Sequence, residues 1–246
     1  MKKEVALEKL NPLYLKGIAH RGLWNEKFTE NGMNAFKNAI DNNVAFELDV
    51  HLSKDGKLVV CHDDDLKRTT GKEGIIEDLT AEEIKANYKL LDGGEVPLFK
   101  EVLELTNEKV PMVIELKVHN RNYKPLAKQL IKELADVRDY KNYHLISFDP
   151  RALYFVRKTP FVNSLLVTTS HIWTYRFRSF FHSLDLEKVM IKEERVRNYQ
   201  KKHFLNVWTI ETEEEFNEVY PYVDTVTFQH LDYKYVRELL EKKNFK

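Results

Sequence analysis

The stretch Ala45-Phe46-Glu47-Leu48-Asp49-Val50 decides the fold. It is short, mostly apolar and β-compatible, yet two carboxylates sit on alternate residues inside it. Side chains alternate across a strand, so Glu47 and Asp49 share one face while Phe46, Leu48 and Val50 share the other. Two carboxylates about 4 Å apart at an effective dielectric near 20 repel by roughly 4 kcal/mol. A cation between them, or a proton on one of them, is therefore required.

Met112 to Val118 repeats the pattern, with Glu115 and Lys117 on one face and Ile114, Leu116 and Val118 on the other. Three carboxylates and an ammonium at the inner ends of two strands fit a hard divalent cation held by oxygen, with the lysine left for an anionic substrate. A buried salt-bridge network between neighbouring strands would give the same spacing.

Outward from these strands the chain alternates. Gly17 to His20 reads as the first strand, and Asn31 to Asp41 as a helix with Asn31 as its N-cap. Lys54-Asp55-Gly56-Lys57 reads as a hairpin turn with positive φ supplied by the Asp-Gly pair, and its return strand delivers His62-Asp63. Thr80 with Glu83 forms a capping box, and helices follow Pro97 and span about 125–137. Further strands are expected at Tyr143–Phe148, Ser164–Thr168, Val189–Ile191, Leu205–Ile210 and Thr225–Phe228. Helices are expected from Pro150, around 193–202, after Thr212, which with Glu215 fits a second capping box, and near Asp232. Regular alternation predicts parallel strands with helical crossovers. The 246-residue length suits a closed (β/α)8 TIM barrel over 1–246 as one domain, with a hairpin insertion after strand 2 at about 51–96. A doubly wound open sheet is the alternative.

The composition is 43% hydrophobic and 32% charged, that of a soluble globular chain. Lys plus Arg equals Asp plus Glu at 39 each, so a nucleic-acid partner is not expected and any basic site must be local. The single cysteine, Cys61, excludes an internal disulfide and reads as a small buried hydrophobe. Charges at Glu4, Glu8 and Lys9 interrupt the apolar run a signal peptide needs, and no run approaches a membrane span, so a cytoplasmic location is expected.

In a barrel the active site lies at the carboxyl ends of the strands, where His20, Arg21, Glu47, Asp49, Glu115, Lys117, Phe148 and Trp208 all fall. The imidazoles of His20 and His62 form a natural proton-transfer pair. Beside a metal site and two cations they point to chemistry at an anionic phosphorus centre.

The ordered set His20-Arg21-Gly22, Glu30-Asn31, Glu47-Leu48-Asp49-Val50, Lys54-Asp55-Gly56, His62-Asp63, Arg68-Thr69-Thr70-Gly71, Glu115-Leu116-Lys117, Ser147-Phe148 and Val207-Trp208-Thr209 resembles the glycerophosphodiester phosphodiesterase family. The resemblance implies a barrel with a small insertion after the second strand and a divalent cation, Ca²⁺ or Mg²⁺, on Glu47, Asp49 and Glu115. It also implies acid/base work at His20 and His62, and phosphate contacts from Arg21 and Lys117. Phe148 and Trp208 are assigned to the substrate, a small glycerophosphodiester. The implied reaction is attack by the substrate's own glycerol hydroxyl, release of the alcohol, and hydrolysis of a cyclic phosphate to glycerol phosphate. A phospholipase-like enzyme acting on a lysophospholipid is the alternative, and a noncatalytic binding barrel a third reading.

Two departures stand out. Thr29 and Gly32 flank Glu30-Asn31 where the family has proline and threonine, and Thr227-Phe228-Gln229-His230 replaces the family's Thr-Asp-x-Pro. The segment 171–182 mixes aromatics with arginines. It fits either a helix packed on the barrel or a lid that touches a membrane surface transiently.

Overall fold

A computed structural model describes residues 3–244. Eight parallel strands close into a barrel: β1 (Ile18–Ala19), β2 (Ala45–Leu52), β4 (Met112–Leu116), β5 (Tyr143–Ser147), β6 (Val162–Val167), β7 (Ser183–Glu187), β8 (Leu205–Ile210) and β9 (Thr225–Phe228). Closure is through β1, which pairs in parallel with both β2 and β9. The ninth strand, β3 (Leu58–Val60), lies antiparallel to the far end of β2 and forms the expected hairpin.

Strand polarity follows from side-chain alternation. The outward residues of β2, Phe46, Leu48 and Val50, are fully buried under the surrounding helices. Inside the barrel a second core gathers Ile18, Ala45, Val113, Ile146, Val162 and Leu166, and the N-terminal segment closes the bottom with Leu10 and Tyr14. The Tyr14 hydroxyl lies 2.7 Å from the Met112 carbonyl and 2.9 Å from that of Asn142, so the plug is hydrogen-bonded as well as apolar. A packed floor leaves the upper, carboxyl end of the barrel as the place where polar groups meet.

The insertion has its own small core of Val59, Cys61, Leu66, Ile76, Ile84, Tyr88, Leu90 and Val96. Cys61 is buried there, as expected of a small hydrophobe. The capping box on the helix Ala81–Asn87 forms as expected, with Thr80 and Glu83 exchanging hydrogen bonds.

Several elements differ from the sequence reading. The sixth barrel strand is Ser183–Glu187, and Val189–Ile191 lies in the 3-10 turn Lys188–Lys192 that follows it. Alternation of Asp185 and Glu187 with Leu184 and Leu186 is the strand signal, masked by the aromatic run just before it. Asn31 is not the N-cap; Gly32 takes that position before the helix Met33–Asp41, and Asn31 sits at φ +55° with its side chain turned into the barrel. In the hairpin turn only Gly56 has positive φ. The helix expected from about 125 begins at Tyr123 and ends at Glu133. Thr212 caps Glu213–Val219, but the Glu215 carboxylate accepts from Glu211 N–H rather than from Thr212, so the reciprocal half of a capping box does not form.

Candidate active site

Register brings the acidic residues together. β2 pairs with β4 so that Asp49 lies opposite Glu115, with Glu47 one inward position below Asp49. Carboxylate oxygens of Glu47, Asp49 and Glu115 all lie within 4.8 Å of one another, and all three side chains are buried.

Cations and donors frame this triad. The Lys117 ammonium is 3.0 Å from Glu115 and 3.5 Å from Asp49. Arg21 has φ +58°, which turns its backbone N–H onto Glu47 at 3.0 Å while its guanidinium reaches Glu30 at 2.7 Å. The amide of Asn31 donates to Asp49 Oδ2 at 2.9 Å. Asp49 Oδ1, also buried, accepts no hydrogen bond.

Burial, with the Asp49 and Glu115 charges beside it, pushes the Glu47 carboxyl well above the usual range. Burial likewise raises Glu115 to about 7 against the pull of Lys117. Asp49 is equally buried, but Lys117, His62 and Arg21 outweigh that and hold it below the usual range. One ammonium and one guanidinium thus leave the triad short of positive charge. Asp49 Oδ1, buried, without a hydrogen bond and 3.5 Å from the Lys117 ammonium, stands among carboxylates that outnumber the cations beside them, which suits a hard, oxygen-seeking divalent cation.

The imidazoles stand on either side. His20 follows β1, with Nε2 4.0 Å from Glu47, and burial, then the Arg21 charge, depresses its pKa to about 4. His62 follows β3 across the opening; its Nδ1 is 2.6 Å from Asp63, which also accepts from Arg68 at 2.6 Å. Arg68 continues to Glu30 through two hydrogen bonds of 2.8 Å. A cavity of about 120 Å³ is lined by His20, Arg21, Glu47, His62, Glu115, Phe148 and Trp208 among others. Phe148 and Trp208 meet edge to face there, ring centroids 5.5 Å apart.

Every residue singled out in the sequence therefore reaches one place. All but Asp49 and Lys117 line this small cavity; Asp49 lies under it, and Lys117 faces a wider cleft of about 910 Å³. His62, Glu115 and Phe148 line both spaces, and Trp173 and Phe177 line the cleft's far side.

A profile of the glycerophosphoryl diester phosphodiesterase family matches residues 20–222, most of the chain and all of this constellation. The chain belongs to the glycerophosphoryl diester phosphodiesterase family. Among curated relatives, a glycerophosphodiester phosphodiesterase of Caldanaerobacter subterraneus is 38% identical over 149 residues, 57% of this chain and 61% of the relative. One of Bacillus altitudinis is 37% identical over 126 residues, covering 48% of this chain and 51% of the relative. The chain thus spans about half to three fifths of the length of these two curated relatives. A crystal structure of the Thermotoga maritima glycerophosphodiester phosphodiesterase superposes with a TM-score of 0.71 at 27% identity, covering 93% of this chain and 97% of that one. The fold is shared also with an Oleispira antarctica phosphodiesterase solved with sn-glycerol-3-phosphate, TM-score 0.77, 22% identity and 98% coverage of both chains.

Residues supporting this family site escaped the sequence reading. Asn31, Glu30, Asp63 and Arg68 stand inside the quoted motif runs, but only the fold reveals that they hold Asp49, Arg21 and His62. His230 is exposed and meets Trp24 edge to face, with ring centroids 4.6 Å apart. In the segment 171–182, Ile172–Phe180 is a 3-10 helix in which Ile172, Tyr175 and Phe177 pack on the core, while Trp173 and Phe180 are 54% and 62% exposed. No described helix is long and apolar enough to cross a membrane.

Proposed function

We propose that this protein hydrolyses glycerophosphodiesters to glycerol phosphate and an alcohol. The observation that carries the reading is the convergence of Glu47, Asp49 and Glu115 within 4.8 Å, flanked by two imidazoles and two fixed cations. A salt-bridge network explains the lysine and arginine, but two cations leave three clustered carboxylates short of positive charge and leave Asp49 Oδ1 without a hydrogen bond. Membership of the family points the same way.

Glu47, Asp49 and Glu115 would hold one divalent cation, Ca²⁺ or Mg²⁺. When bound, it supplies positive charge for the oxygens of the substrate and for the charge that grows on them. Lys117 and Arg21 add charge from opposite sides; Arg21 is aimed by Glu30, which Arg68 holds in turn. His20, kept neutral by burial, takes the proton of the attacking glycerol hydroxyl. His62, half-exposed beside the wide cleft and backed by Asp63, gives a proton to the departing alcohol. A nucleophile already tethered to phosphorus benefits from a large effective concentration, which favours a cyclic phosphate as the first product. Water then opens it with the histidine roles reversed.

The wide cleft bears on the alcohol. Phe148, Trp173 and Phe177 give it an apolar wall, which favours alcohols with hydrocarbon and so supports a second reading, hydrolysis of a lysophospholipid. A mouse lysophospholipase D is 29% identical over 224 residues, 79% of this chain and 68% of that protein. Exposed Trp173 and Phe180 beside Arg176 and Arg178 fit transient contact with a membrane surface. Hydrolysis of glycerophosphocholine and of a lysophospholipid side by side, followed by phosphorus NMR, tests both readings. Glycerol phosphate from the first substrate supports the principal reading; turnover of the lipid alone replaces it with the second.

A further inference from the structure

Behind His20, on the side away from the cavity, two residues form a relay that no family motif accounts for. The His20 N–H donates to the Phe228 carbonyl at 2.8 Å, and the next residue, Gln229, donates its own N–H to Ile210 at 3.0 Å. These two backbone bonds fix the ends of β1, β9 and β8 side by side. Gln229 Oε1 then lies 2.7 Å from His20 Nδ1, and Gln229 Nε2 donates to Glu211 Oε1 at 2.5 Å. Neither Gln229 nor Glu211 lines the small cavity that His20 shares with Glu47 and Trp208.

The chemistry of the relay has one self-consistent arrangement. A carboxylate only accepts hydrogen bonds, so the end of the Gln229 amide facing Glu211 must be its NH₂. The opposite end, the carbonyl oxygen, faces His20 and also only accepts. Nδ1 must therefore carry the proton, which leaves the lone pair of the neutral ring on Nε2. With the amide reversed, its oxygen would meet a carboxylate oxygen at hydrogen-bond distance with no hydrogen between them.

We infer that Glu211 and Gln229 are positioning residues that lock His20 in the tautomer whose Nε2 is free to accept a proton from substrate. This rests on the proposed role of His20 as general base, but the tautomer itself is measurable without turnover. The exposed carboxylate of Glu211 thus sets the state of a ring it does not touch.

Long-range proton–nitrogen NMR of the full chain, labelled at histidine, reads the tautomer directly. In the wild type, His20 should show a protonated Nδ1 and a bare Nε2. Glu211→Lys offers a donor in place of an acceptor, so the Gln229 amide should reverse and His20 should change to the Nε2-protonated form. Hydrolysis of glycerophosphodiester should then lose about 10²-fold in kcat, the low end of what a general base supplies, with KM nearly unchanged. Glu211→Gln can still present a carbonyl to the Gln229 amide and should keep the wild-type tautomer and most of kcat, separating relay loss from misfolding. A protonated Nε2 in the wild type, or an unchanged tautomer in Glu211→Lys, overturns the inference. A changed tautomer with unchanged kcat upholds the relay and instead removes His20 from the proposed reaction.

Discussion

The Asn31 side-chain amide donates to Asp49 Oδ2 at 2.9 Å, a bond between a loop residue at φ +55° and the carboxylate at the centre of the acidic triad. It consumes one oxygen of Asp49 and leaves Oδ1 turned toward Glu115 and Lys117. Asn31→Gly keeps the backbone conformation accessible while deleting the amide. Cation affinity, read by calorimetry, should fall about 10–100-fold, the usual effect of losing a partner that orients a ligand. Unchanged affinity would make the bond structural only.

His62 and Asp63 should separate in kinetics. His62→Ala removes the proposed acid and should lower kcat by about 10²–10⁴-fold with little change in KM. Asp63→Asn leaves the imidazole but replaces the carboxylate that Arg68 and His62 hold, against partial burial, at a pKa of about 2. Its kcat should fall by less than that of His62→Ala, and steady-state rates on one substrate decide the order.

Stability should depend on pH through His144. This imidazole is sealed inside the barrel between Tyr14 and Phe204, with Nε2 on Ser164 and Nδ1 unpartnered, and burial lowers its pKa from 6.5 to about 3. Between those values the unfolded chain binds the proton and the folded one does not, so the unfolded state gains as pH falls. The stability this ring contributes is whole above pH 6.5. It is lost at up to about 1.4 kcal/mol per pH unit below that. Urea unfolding at pH 7.5 and pH 5 should show a steeper loss for the wild type than for His144→Asn; equal slopes would refute it.

Trp173 and Phe177 line the far wall of the wide cleft, and Trp173 is 54% exposed. Replacing both by Ala should lower kcat/KM for substrates whose alcohol carries a long hydrocarbon chain by roughly 10-fold or more, since burying each methylene is worth about 0.8 kcal/mol. Glycerophosphoglycerol should be hydrolysed almost as before. Equal losses on both substrates would place the two rings outside alcohol selection.

Much of this was legible in the chain itself. Alternation at Glu47 and Asp49 announced both the strand and the shared face, and Glu115-Leu116-Lys117 announced its neighbour, because a period of two survives any tertiary context. The sixth strand was hidden because Ser183–Glu187 is five residues long and follows an aromatic, arginine-rich helix that dominates the local pattern. Asn31 reads as a cap because an asparagine before an apolar helical run is the usual capping signal, and only the barrel's closure brings its amide to Asp49. The Gln229 relay joins residues from three strand ends that lie next to each other only through register, which no local spacing encodes.

The most direct measurement is the release of glycerol phosphate from glycerophosphocholine by chelator-treated protein as Ca²⁺ or Mg²⁺ is added back. Turnover should be absent in chelator, return as about one cation binds per chain, and fail to return in Asp49→Asn at the same cation concentration. Full turnover in chelator, or an Asp49→Asn variant as active as the wild type, would contradict a divalent cation held by Glu47, Asp49 and Glu115.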